Sequence, residues 1–63
     1  MFGIEHRRGL AVVQHEMCTH DHVEDALASA KKRAPKYGAD NIRILDAQGR
    51  EIGIYLVEGP REG

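Results

Sequence analysis

The chain carries a single cysteine, no tryptophan, two prolines and only three aromatic residues of the Phe, Tyr and Trp type. With Cys18 alone, no intrachain disulfide closes, so no such staple makes up for a small core. No apolar run approaches the roughly 18 residues that a spanning helix takes, which excludes a transmembrane helix within this sequence. The opening Met1-Phe2-Gly3-Ile4-Glu5-His6 meets a charge too early for a secretory leader, and the expected setting is the cytoplasm. An excess of one charge is missing as well. Nine Lys and Arg face ten Asp and Glu, leaving a net charge of -1 and no bulk attraction to nucleic acid or anionic membrane.

What remains is an ordinary globular composition, 41% hydrophobic and 30% charged, in 63 residues. A chain of this length builds one core and buries only about 60% of the surface it exposes unfolded. Its stability therefore rests on packing, a metal or a partner. The patterning predicts one domain over residues 1–58 and a loosely ordered tail over 59–63, where Gly59-Pro60-Arg61-Glu62-Gly63 has neither periodicity nor apolar content.

Phe2, Ile4 and His6 alternate with Gly3 and Glu5, and residues 10–16 are rich in strand formers. Arg7-Arg8-Gly9 connects them, with Gly9 supplying the positive φ of a tight turn. Asp21 followed by Glu24 has the form of a capping box, which places a helix start near His22. Val23, Ala26, Leu27, Ala30 and Ala34 then recur at helical spacing as a narrow, alanine-rich stripe suited to lying close on a sheet. Glu24 and Asp25 at one end and Lys31, Lys32 and Arg33 at the other complement the helix dipole. Pro35 is expected to stop or kink the helix at Ala34, with Gly38 as a left-handed cap if a further turn survives. Residues 42–45 and 52–57 flank Asp46-Ala47-Gln48-Gly49, whose Asp and Gly match a type I turn followed by a left-handed Gly bulge. The expected fold class is α+β: two hairpins forming a four-stranded antiparallel sheet, with one helix on one face, in the order ββαββ.

One helix covers only one face of such a sheet, and the strands carry apolar residues of both parities. Ile52, Ile54 and Leu56 oppose Tyr55 and Val57, while Leu10 and Val12 oppose Ala11 and Val13. The expectation is that the face away from the helix is covered by a second copy, with Ala11, Val13, Tyr55 and Val57 as the self-association residues of a homodimer. Scattered exposed valines on an ordinary surface are the plainer alternative.

His15, Cys18, His20 and His22 lie within eight residues and have the chemistry of zinc ligands. Structural zinc sites join two separated ligand pairs, whereas these four come from one short stretch, so a solvated turn with a buried Cys18 is the competing reading and no cofactor is expected. Catalysis finds no support: a Cys and His pair needs a cleft and an orienting third group that nothing here supplies. Lys31, Lys32, Arg33 and Lys36, with Arg43 and Arg50, form a candidate phosphate-contacting patch. No recognition-helix motif, phosphate loop or stacking aromatic pair accompanies it, and nucleic acid is an unlikely partner on that reading.

The order strand, strand, helix, strand, strand, with Glu24-Asp25-Ala26-Leu27-Ala28-Ser29-Ala30 leading into Asn41-Ile42-Arg43-Ile44-Leu45-Asp46-Ala47-Gln48-Gly49-Arg50, resembles small bacterial domains of unknown function. The resemblance implies a compact ββαββ unit and brings no catalytic residues. The functional expectation is a small non-enzymatic binding module.

Overall fold

The computed structural model describes residues 1–57; the expected domain end at 58 and the tail over 59–63 lie outside them. Two antiparallel hairpins flank one helix, in chain order β1 (Phe2–Arg8), β2 (Ala11–Cys18), α1 (Val23–Tyr37), β3 (Asn41–Leu45) and β4 (Glu51–Leu56). The strands form one sheet in the order β2-β1-β3-β4, antiparallel throughout, with α1 packed on one face. The expected fold class is the observed one. The helix carries the chain from β2 over β1 to β3, so the two hairpins meet along β1 and β3.

That arrangement decides where the core sits. The central strands put Ile4, His6, Ile42 and Ile44 under the helix, all fully buried, and Ala26, Ala30 and Ala34 close over them. Methyl side chains on the helix let its backbone approach the sheet, and the larger isoleucines fill the space from below. Val23 and Leu27 complete the predicted stripe at its half-buried margin, as Phe2 does from the sheet.

The helix start differs from expectation, while at its end the further turn survives Pro35 and Gly38 is the left-handed cap expected in that case. His22, with extended φ of -118° and ψ of 137°, occupies the N-cap position and makes no side-chain capping bond; its carbonyl accepts from Asp25 and Ala26 at 3.1 Å each. Asp21 stands one residue too early to serve as the cap, and the first turn relies on Glu24 and Asp25 against the dipole. At the other end the helix runs through Pro35 to Tyr37. Proline removes one ladder donor, but its fixed φ is helical, and the bond lost lies in the last turn. There a Schellman closure takes over: Gly38, at φ 74°, donates to the Pro35 carbonyl at 3.1 Å and Ala39 to that of Ala34 at 3.0 Å.

Both hairpin turns are held by aspartates. Asp46 Oδ1 accepts from the backbone N–H of Gln48 (2.9 Å) and Arg50 (2.8 Å), and Gly49 adopts φ 83°, the expected turn chemistry. The Arg50 N–H is the main reason the Asp46 carboxyl is held below its ordinary value. In the first hairpin Gly9 and Leu10 form the turn, and Gly9 N–H reaches across to Asp40 Oδ1 at 3.0 Å. Asn41 Nδ2 donates to the Gly9 carbonyl at 3.1 Å, so the turn of one hairpin is fastened to the start of the other.

Each edge strand carries one bulge. Pairing skips Val13 between His6 and Arg7, and skips Ile52 between Ile44 and Leu45.

Candidate interaction surface

Strand alternation sorts the remaining side chains by face. Opposite the helix the register lines up three rows across β2, β1, β3 and β4: Met17, Gly3, Leu45 and Glu51; His15, Glu5, Arg43 and Ile54; Val12, Arg7, Asn41 and Leu56. Among the described residues, no element of the chain covers this face. Its paired aliphatic residues are concentrated on the two edge strands, where Val12 and Met17 on β2 and Ile54 and Leu56 on β4 are exposed, Leu56 to 79%; the bulge residues Val13 and Ile52 are exposed as well. Leu45 is buried beside Gly3, where an added Cβ would lie 3.6 Å from Leu45 and from His15 Nε2.

Between the aliphatic strips runs a charged centre. Arg43 Nε donates to Glu51 Oε1 at 2.8 Å and its Nη1 to Glu5 Oε1 at 3.3 Å, which raises the already high guanidinium pKa, Glu51 contributing most. Arg7 brings the second cation of the face; its Nη2 donates to the Leu10 carbonyl at 3.3 Å, while its buried Nε has no partner among the described residues. With Glu5 and Glu51 against Arg7 and Arg43, the face is balanced in charge.

The self-association residues named from sequence divide across these surfaces. Ala11 is exposed but pairs with Arg8, so its parity is that of the covered side and not of the uncovered face, and Val13 is the exposed bulge residue without a register partner. Tyr55 and Val57 are not on the uncovered face: Tyr55 pairs with Ile42, so its parity is that of the core, and both residues pack against the buried cluster beside the helix. The parity of β4 was legible, but which parity meets the helix depends on the β3 partner. On β4 the uncovered face carries Glu51, Ile54 and Leu56.

The candidate metal ligands are dispersed. His15 faces the uncovered side opposite Glu5, whereas Cys18, opposite Phe2, is a buried thiol of the core. His20 is exposed and His22 is the helix N-cap. Among the described residues no three His, Cys, Asp or Glu side chains come together in a geometry that holds a metal ion. The separation follows from strand alternation, which sends odd and even positions to opposite faces.

The basic patch is reduced in the same way. Arg33 is committed to Glu16, donating from Nε at 3.0 and 3.1 Å and standing 2.8 Å away through Nη2, while Nη1 reaches Ser29 Oγ at 2.8 Å. Lys31, Lys32 and Lys36 are exposed on the solvent side of the helix.

That Glu16 is the hub of the covered side at its β2 edge. Its carboxylate also accepts from Tyr37 Oη at 2.8 Å and from His6 Nε2 at 3.1 Å. Hydrogen bonding by Arg33 outweighs the opposing effect of burial and, with His6 and Tyr37, lowers the Glu16 pKa from 4.5 to about 2. An ionised carboxylate only accepts, so His6 donates to it from Nε2; among the described residues the buried Nδ1 has no partner. The His6 and Tyr37 rings meet at 4.8 Å between centroids. A carboxylate saturated by three donors and held this far below neutral pH is a brace between strand and helix, and it has no proton to exchange near pH 7. An open groove of about 390 Å³ runs beside it, lined in part by Cys18, Thr19, His20 and Ser29. Its charged groups, Glu16 and Arg33, are already bound to each other.

Sequence reasoning missed this network. Ser29, Arg33 and Tyr37 at successive i+4 positions were a readable stripe, but its acceptor is 17 residues from Arg33 on an edge strand. The chain matches no protein-family model, no curated protein and no solved structure. No helix among the described residues is long and apolar enough to cross a membrane.

Proposed function

We propose that this chain is a non-enzymatic binding module of the cytoplasm that works as a homodimer. The observation that carries the reading is the uncovered sheet face, with exposed aliphatic residues along both edge strands and a charge-balanced centre. The need for a partner comes from the other face. Four of the eight residues in the buried hydrophobic cluster are alanines, and no disulfide supplements them. A second copy supplies the missing apolar burial without adding a new sequence, and a symmetric contact closes on itself. Charge balance favours a second copy over an acidic or basic partner, for which a face of the opposite net charge is the expected recognition surface.

A native mass spectrum of the tag-free full chain, recorded before and after one equivalent of zinc, tests this. A metal-free dimer is expected in both spectra. A monomer at every concentration contradicts the proposal, and one stoichiometric zinc retained from purification transfers the function to the histidines and Cys18.

A further inference from the structure

Resting on that reading, the charge pattern of the uncovered face distinguishes the ways in which two copies can meet. Face-to-face sheets keep their strand directions within about 30° of each other and stand about 10 Å apart. A closed dimer of this kind needs a two-fold axis in the interface plane, running either across the strands or along them. With the axis across the strands, each strand lies on itself, so Glu5 opposes Glu5 and Arg43 opposes Arg43. Like charges brought together at the centre of an interface disfavour that arrangement.

With the axis along the strands the order of the sheet is reversed in the second copy. Then β1 lies on the second copy's β3, and β2 on its β4. Glu5 falls over Arg43 and Arg43 over Glu5, both in the middle row, and the Val12 end of β2 falls over Leu56. The β2 and β4 rows then meet as Val12 on Leu56, His15 on Ile54 and Met17 on Glu51, so both edges are covered in one contact. Pairing edge to edge does less, because a β2 to β2 contact leaves the β4 strip in water and a β4 to β4 contact leaves the β2 strip. Glu5 and Arg43 are already joined within each chain at 3.3 Å, so their positions are set before the copies meet. The geometry points to a face-to-face homodimer whose two-fold axis runs along the strands, with a central four-membered Glu5 and Arg43 cluster flanked by Val12 against Leu56.

The test mixes the full-length variants Val12→Cys and Leu56→Cys in equal amounts. Both positions are exposed, and buried Cys18 is controlled by the unmodified chain. A short bismaleimide links the thiols, since facing sheets stand beyond direct disulfide reach. The mixed Val12 to Leu56 species is expected as the dominant linked product, with each variant alone giving little. Separately, Leu56→Asp is expected to raise the dimer dissociation constant by about ten-fold or more, with an unchanged circular dichroism spectrum. Preferential linking of Val12→Cys to Met17→Cys places the axis across the strands and overturns the inference. Self-linking of Ile54→Cys, which either the axis across the strands or edge pairing through β4 produces, does the same, as does a dimer that yields none of these products. A chain that is monomeric by native mass spectrometry removes the inference together with the reading beneath it.

Discussion

The two faces of this sheet are built from the same strands and differ in what finishes them. Under the helix, Ile4, His6, Ile42 and Ile44 are sealed by three alanines, and the one buried histidine is bound to an ionised Glu16. On the other side the same strands present Glu5, Arg7, Asn41 and Arg43 at the centre and aliphatic side chains at the edges. A solvated face of a small domain is expected to be polar along its edges as well, where unpaired strands invite association. Here the edges are the apolar part. The comparison separates two tasks: the covered face determines whether the chain folds, and the uncovered face is the one proposed to govern association.

Substitutions on the two sides therefore have different signatures. The largest effect is expected from Ile42→Ala, which opens a cavity beneath the alanine stripe and costs about 3 kcal/mol in urea denaturation. Glu16→Gln comes next, at about 1–3 kcal/mol, because Arg33 loses its anionic partner. That variant also changes the acid limb. Glu16 has a folded pKa of about 2 against 4.5, so its contribution is present above 4.5 and lost as pH falls toward 2; removing it flattens the stability profile in that window. Ile54→Asp is expected to shift folding stability by less than about 0.5 kcal/mol at concentrations where the chain is monomeric. Sedimentation equilibrium then shows the dimer weakened, a change that neither covered-face variant reproduces at matched folded fraction. Smallest is Lys36→Gln in the last helical turn, costing about 0.3 kcal/mol by thermal melts in low salt and less in high salt.

The covered face was largely legible because it is built from periodicity. Ala26, Ala30 and Ala34 at helical spacing and Phe2, Ile4 and His6 at strand spacing point to their neighbours without knowledge of the rest of the chain. The Asp46 to Gly49 turn was legible for the same local reason. The Pro35 expectation failed because the final turn tolerates a missing donor when Gly38 and Ala39 close it. The Glu16 network was not legible because it depends on where α1 crosses the first hairpin, and the face of Tyr55 because it depends on β1 pairing with β3. Hairpin adjacency is a local inference; the central pairing brings residues about forty positions apart into register, and only then does one parity of β4 become inward. His15 and Cys18 teach the same lesson, being close in sequence and on opposite faces.

The most direct measurement compares the two faces in one sample. With isoleucine, leucine and valine methyl groups labelled, a soluble paramagnetic agent reports the exposure of each methyl by NMR as the protein is diluted. The account predicts that Ile4, Ile42 and Ile44 stay protected at every concentration, while Val12, Ile54 and Leu56 are protected in concentrated protein and become exposed on dilution. Methyl groups of Val12, Ile54 and Leu56 that remain exposed at the highest attainable concentration would contradict it.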